Sequence, residues 1–296
     1  METGKQFAKA ESYLQNKQYQ KAYSEFLLLY ENQKNFHNNY YLFVAALNNR
    51  QYNDAYQIAS EYLREYIVDN EKFNYYIKAG VLAGKNIEVQ KLLYNLGIYM
   101  SATEKMTLDR IREQNEKLYW SGKEKSSIKN LVKRFSFIGA QPVIDQRKIL
   151  QQAYSLPKKE FVDTALKVVQ DAYVHPIIKS TILDDLRQLN VDRDIQYSNF
   201  LEEMISLNPR LLQPLERTRV FKAVQHHIDE IEERNIQAEE YRKEYRLREL
   251  LLYPFIFSDL EDEDLIAVII SEEKSLSAVR KKLITQIESS ISEWNL

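Results

Sequence analysis

Along the first hundred or so residues, apolar side chains recur every three to four positions in runs of about a dozen, the spacing of amphipathic helices rather than strands. Short polar corners interrupt the runs, Gln15-Asn16-Lys17-Gln18 and Asn48-Asn49-Arg50-Gln51 among them. After each corner the same core follows. Tyr19-x-x-Ala22-x-x-x-Phe26 returns as Tyr52-x-x-Ala55-x-x-x-Ala59, with its alanines 33 residues apart. A third unit reads as a helix from Lys72 to Ala83, a corner at Gly84-Lys85-Asn86, and a helix from Ile87 to Leu96. Val89 takes the small position there and Leu93 the aromatic one. Its register is open by one residue, because Gly84 and Ile87 favour different alignments.

From Ser101 the period loosens. The pattern predicts a helix pair, Thr103–Tyr119 and Lys123–Phe137, split at Ser121-Gly122, and then helices over Ile144–Tyr154 and Lys158–Asp171. His175-Pro176 opens a further helix to about Leu189, with Ile177, Ile178, Ile182, Leu183 and Leu186 as its apolar stripe. Proline suits a first helical position, where its missing N–H leaves nothing unsatisfied. Residues 194–206 alternate polar and apolar and predict a small β-hairpin. Charged helices follow over Leu215–Glu233 and Ala238–Leu252. The acidic run Asp259–Asp264 then meets the positive end of a helix starting near Asp262, and a last helix spans about Ser275–Trp294.

Composition sharpens this picture. Apolar residues make up 44% of the 296, enough for a continuous core, and only six Gly and six Pro are available to close turns, which disfavours a sheet-rich fold. Lys and Arg total 41 against 43 Asp and Glu, a net charge of −2, so the whole chain has no footprint for gripping phosphate backbones. Cysteine is absent, which excludes disulfides and thiolate chemistry and fits a reducing cytoplasm. The polar N-terminal stretch lacks the apolar run of a signal peptide. The longest apolar segment, Leu250–Phe257, falls well short of the roughly 20 residues of a membrane span.

The two repeat cores and their corners resemble tetratricopeptide (TPR) repeats, helix-turn-helix units of about 34 residues. The resemblance covers residues 5–97, with Ala10 and Ala22 as the small pair of the first repeat and Tyr13, Tyr19 and Phe26 around it. The tryptophan and glycine common in the family's first helix are missing. With His175-Pro176-Ile177-Ile178-Lys179 and Leu252-Tyr253-Pro254-Phe255, the chain is also similar to TPR-containing proteins of low-GC Gram-positive bacteria, a group without assigned chemistry. The expected fold is all-α. A TPR-like right-handed solenoid over 1–138 precedes a HEAT-like or irregular helical half over 139–296, with one hairpin.

The resemblance implies a concave groove lined by the first helix of each repeat. Phe7, Glu11, Tyr40, Val44 and either Asn74 or Tyr75 are expected to face it, with Tyr41 and Tyr76 beside it and His37 and Lys72 at its flanks. Tyrosine, at 21 copies, joins apolar area to a hydroxyl and suits recognition; packing between helices is the competing use. The expected role is therefore a protein-interaction scaffold or adaptor holding a partner peptide or protein. The lysine–asparagine clamp that holds chaperone C-termini is not matched, since Phe7, Glu11 and Tyr41 occupy those positions.

Catalytic chemistry finds little support in the sequence. His226 and His227 are adjacent and point about 100° apart on a helix. His226 with Glu230 lacks the His-Glu-x-x-His pattern, and the glycines form no phosphate loop. No enzyme, metal or cofactor is expected. A basic stripe, Lys125, Lys129 and Lys133 at i,i+4 spacing with Lys123 and Arg134 nearby, offers the alternative of a regulatory factor contacting RNA or the translation machinery.

Overall fold

The computed structural model describes residues 2–124, 126–232, 238–270 and 278–295. These residues form an all-α protein with one small antiparallel hairpin. The chain divides into two compact units, Met1–Ser127 and Ile128–Leu296.

Unit 1 contains α1 (Glu2–Gln15), α2 (Tyr19–Asn32), α3 (Phe36–Asn48), α4 (Tyr52–Ser60), α5 (Leu63–Ile67), α6 (Asn70–Leu82), α7 (Asn86–Leu96) and α8 (Ala102–Ser121). Three of its corners are built alike. Lys17, Arg50 and Gly84 sit in the left-handed region at φ 58°, 61° and 79°, and they lie 33 and then 34 residues apart. At each, the following amide reaches back five residues, from Gln18 to the Tyr13 carbonyl (2.8 Å), Gln51 to Ala46 (3.0 Å) and Lys85 to Gly80 (2.9 Å). This is the Schellman closure, which satisfies carbonyls that a helix end otherwise leaves open.

The corners fix the third register. Ala22, Ala55 and Val89 each lie five residues past the left-handed residue, and all are fully buried. In the third pair the first helix comes so close that a Cβ on Gly80 would lie 2.6 Å from Val89 Cγ2 and 2.7 Å from the Tyr56 ring. The repeat is interrupted once, by α5, which the periodicity does not predict. The chain breaks after Ser60 and restarts at Leu63, and this places Tyr66 in the core with its hydroxyl donating to Asn39 Oδ1 at 3.0 Å. A capping box of Ser101 and Glu104 starts α8, which packs on α6 and α7.

Unit 2 holds α9 (Ser127–Ser136, starting at the boundary), α10 (Val143–Ala153), α11 (Lys158–Val168) and α12 (Pro176–Gln188). The hairpin follows, β1 (Ile195–Ser198) paired with β2 (Met204–Leu207) in the register Ile195↔Leu207 to Ser198↔Met204. Then come α13 (Arg219–Glu232), α14 (Ala238–Leu252), α15 (Asp262–Ile270) and α16 (Ala278–Asn295). The expected helix ends at Glu233 and Ser275 lie outside the described residues. At the start of α12, the His175 Nδ1 accepts from the Ile177 amide at 3.3 Å and serves as its cap. Tyr197 and Asn199 tie the hairpin to the 253–256 segment, donating to the carbonyls of Tyr253 (3.3 Å) and Ile256 (3.0 Å). The core gathers α12 to α16 around Ile177, Val224, Leu252, Val268 and Ile287.

Candidate binding surfaces

The shared corners make the first helices α1, α3 and α6 equivalent, so that Phe7, Tyr40 and Asn74 each stand ten residues before a left-handed residue. In this register Asn74 is the counterpart of Phe7 and Tyr40, and Tyr75 is the counterpart of Tyr41. Phe7 on α1 stacks on His37 of α3 at 5.0 Å between centroids and meets Tyr41 edge-on at 4.9 Å. Tyr41 in turn stacks on buried Phe26 (5.4 Å) and meets Tyr40 edge-on (5.8 Å). From α6, the Lys72 ammonium lies 5.3 Å from the Tyr40 ring centroid.

Phe7, Tyr40 and Tyr41 are half-buried, while His37 and Tyr75 are exposed. Side chains from three helices thus form one row with part of every ring open to solvent. Burial pushes the Tyr40 phenol above its ordinary range, only partly opposed by the Lys72 charge. Lys72 is itself held by an ion pair to Asp69, which caps α6 by accepting the amides of Glu71 and Lys72 at 3.0 and 3.1 Å. Glu11 and Val44 are half-buried and lie one helical turn further along α1 and α3. Asn74 carries a buried Oδ1 with no hydrogen-bond partner.

Two expectations fail. Tyr76 does not border the groove: it is 2% exposed, stacks on Phe73 at 6.1 Å and packs 5.0 Å from Tyr56. The corner register makes it the counterpart of Leu42, a core position, and a tyrosine is accepted there because its hydroxyl lies 3.2 Å from Ser60 Oγ. The helix expected over Lys123–Phe137 also starts later than the pattern predicts. The helix begins at Ser127, so Lys123 stands before it, with its ammonium 3.8 Å from the Tyr119 ring centroid and 5.1 Å from that of Trp120. Lys125 lies outside the described residues. Lys129, Lys133 and Arg134 are all exposed on α9.

His226 is exposed, with Nε2 3.7 Å from Glu230 Oε1. Among the described residues no three His, Cys, Asp or Glu side chains gather closely enough to hold a metal ion, and no helix is long and apolar enough to cross a membrane.

The periodicity gives no place to the buried charges of unit 2. Lys179 is 2% exposed, and burial brings its amine down to about 8; its Nζ donates to Ser198 Oγ at 3.3 Å. Glu249 is 3% exposed, and burial raises its carboxyl to about 7 against the opposing pull of Arg246. The signal was present in the sequence. Lys179 shares the stripe of Ile182, Leu183 and Leu186, and Glu249 that of Tyr245 and Leu252, so a charge on an apolar stripe marked both.

No protein-family model matches the chain, and neither a curated protein nor a solved structure matches it.

Proposed function

We propose that unit 1 is a TPR-like interaction module that works in a bacterial cytoplasm by binding rather than catalysis, taking a peptide segment of a partner protein on the face of α1, α3 and α6. The observation that supports this reading is the row Phe7–His37–Tyr41–Tyr40–Lys72, in which each group is already held by a neighbour while keeping an open edge. Rings fixed in advance lose little freedom when a partner covers them, and they offer apolar area with hydroxyl handles. Glu11 on the neighbouring turn supplies a charge to orient a peptide, and Lys72, paired with Asp69, closes one end of the row.

Retention of partners from a native lysate tests the reading. His37→Ala combined with Tyr75→Ala removes exposed groups and should abolish capture at both low and high salt, with helicity and thermal stability unchanged. Tyr40 and Tyr41 serve less well as probes, because Tyr40 packs on Tyr66 and Tyr41 on Phe26, so truncating them disturbs the core. Capture that persists in the double variant would exclude this face as the binding surface.

A further inference from the structure

A second surface, in unit 2 and independent of the unit 1 reading, lies between α9 and α10. It is an open groove of about 710 Å³, within the roughly 300–1,000 Å³ common for ligand sites. Lys133 and Arg134 project into it from α9 and Lys148 from α10. Lys148 is matched by Asp145 at 3.1 Å. Lys133 and Arg134 have no carboxylate within ion-pair distance among the described residues, which leaves the groove with two uncompensated positive charges. Lys129, also without an ion pair among those residues, stands one helical turn from Lys133.

A comparable cavity, also about 710 Å³, lies between α14 and α16 and shows the contrast. Its cations are already neutralised, Arg242 by Glu232 (2.7 Å) and Glu239 (3.3 Å), Lys243 by Glu239 (3.6 Å), and Arg246 by Glu216 (2.9 Å). That cavity is an ordinary charged surface. The α9–α10 groove is not.

An aromatic ring completes the second surface. Phe137, one residue past the end of α9, is 63% exposed and lines the groove. Its position is anchored by the two residues that follow it. The next residue, Ile138, is fully buried, and Gly139 leaves room for the Asp171 carboxylate, whose Oδ2 would lie 2.5 Å from a Cβ there. Gln146, itself 3% exposed, donates to the carbonyls of Gln141 (3.0 Å) and Tyr173 (3.2 Å) and accepts from the His175 amide (2.9 Å). These bonds brace the turn that carries Phe137. The amide side chains of Asn130, Gln141 and Gln152 also line the groove.

Free cations track a phosphate backbone, an exposed ring stacks on a base, and amides pair with base edges; this is the chemistry of single-strand recognition. Single-stranded nucleic acid uses the cations, the ring and the amides together and so accounts for the whole lining; an acidic peptide is the competing occupant. We propose that the α9–α10 groove binds a short segment of single-stranded nucleic acid, with a base stacked on Phe137 and its phosphates held by Lys133 and Arg134.

Fluorescence anisotropy of the full chain with a labelled oligouridylate of about ten nucleotides, within the usual size of single-strand sites, tests the proposal across a salt series. Two phosphate contacts predict that log Kd rises with log salt at a slope of about 1.4. Lys133→Ala with Arg134→Ala should weaken binding about tenfold or more and remove over half of that slope. Phe137→Ala should weaken it at least about fivefold without changing the slope, and Phe137→Trp should restore it. All these side chains are exposed, so circular dichroism should show unchanged melting. The proposal is overturned if the wild type fails to bind at low salt or if binding ignores these substitutions. It is equally overturned if a polyglutamate peptide competes on equal terms while Phe137→Ala has no effect, since an acidic polypeptide would then be the occupant.

Discussion

The two units are both helical, yet they hold their chains in place by different means. Unit 1 repeats one local device: a left-handed residue at Lys17, Arg50 and Gly84, an amide returning five residues, and a buried small or branched side chain five residues on. Side-chain bonds between its helices reach about one repeat along the chain, from Tyr30 to Glu61 across 31 residues, from Asn49 to Gln20 across 29 and from Tyr66 to Asn39 across 27. Unit 2 uses bonds made once and over long separations. His175 Nε2 meets the Ser290 carbonyl at 3.0 Å across 115 residues, and Arg147 donates to the Trp294 carbonyl at 2.9 Å across 147. Since the His175 Nδ1 accepts from the Ile177 amide, Nε2 carries the proton toward Ser290. Repetition lets unit 1 present equivalent positions in a row, which is what a binding face needs. Singular contacts let unit 2 bury charges and cap ends in ways no period announces.

The largest expected effect lies in unit 2. The buried Glu249 carboxyl is raised from 4.5 to about 7, so the folded chain keeps a proton that the unfolded chain releases between those values. Its contribution is fully present below pH 4.5 and is lost as pH rises through 7. Glu249→Gln should therefore be more stable than wild type above pH 7, by up to about 3 kcal/mol, with the gap closing toward pH 4.5. Urea unfolding at a series of pH values reads this directly, and a constant gap would show that burial does not govern Glu249. His175 acts in the opposite sense. Burial lowers it from 6.5, so the unfolded state takes up its proton first and stability falls as pH drops below 6.5.

In unit 1 a smaller effect tests the close third pair. Gly80→Ala places a methyl 2.6 Å from Val89 Cγ2 and 2.7 Å from Tyr56 and should cost about 1–3 kcal/mol by overpacking. A neutral result in thermal melts would mean that α6 and α7 can part without loss. The smallest effect tests whether the corners are one device. Arg50 at φ 61° carries a side chain where Gly84 carries none, and a left-handed non-glycine residue costs about 1–2 kcal/mol. Arg50→Gly should raise the melting temperature slightly, and Lys17→Gly should do the same. A drop in both would show that these corners depend on their side chains instead.

The sequence conveyed this contrast unevenly, for physical reasons. Helices over most of the chain, the hairpin and the helix start at Pro176 are local matters of period, alternation and turn chemistry, and they are readable. The break that makes α5 was not, because it serves Tyr66 and Asn39, which are 27 residues apart. Of the candidate face, Phe7, His37, Tyr40, Tyr41 and Lys72 form the row, while Tyr75 stands exposed in the register of Tyr41. Tyr76 was misplaced because tyrosine serves core and surface alike, and only its hydroxyl partner tells the two apart. The groove of unit 2 was half seen. Lys129, Lys133 and Arg134 stood out as charge, but Phe137 and Lys148 join them only through the turn between α9 and α10.

Hydrogen–deuterium exchange on the whole chain, with and without a peptide selected from a random display library, tests the binding role of unit 1 most directly. The account predicts slowed exchange confined to α1, α3 and α6, unaltered by high salt and absent in the His37→Ala/Tyr75→Ala variant. Protection elsewhere in the chain, or an identical footprint in that variant, would contradict it.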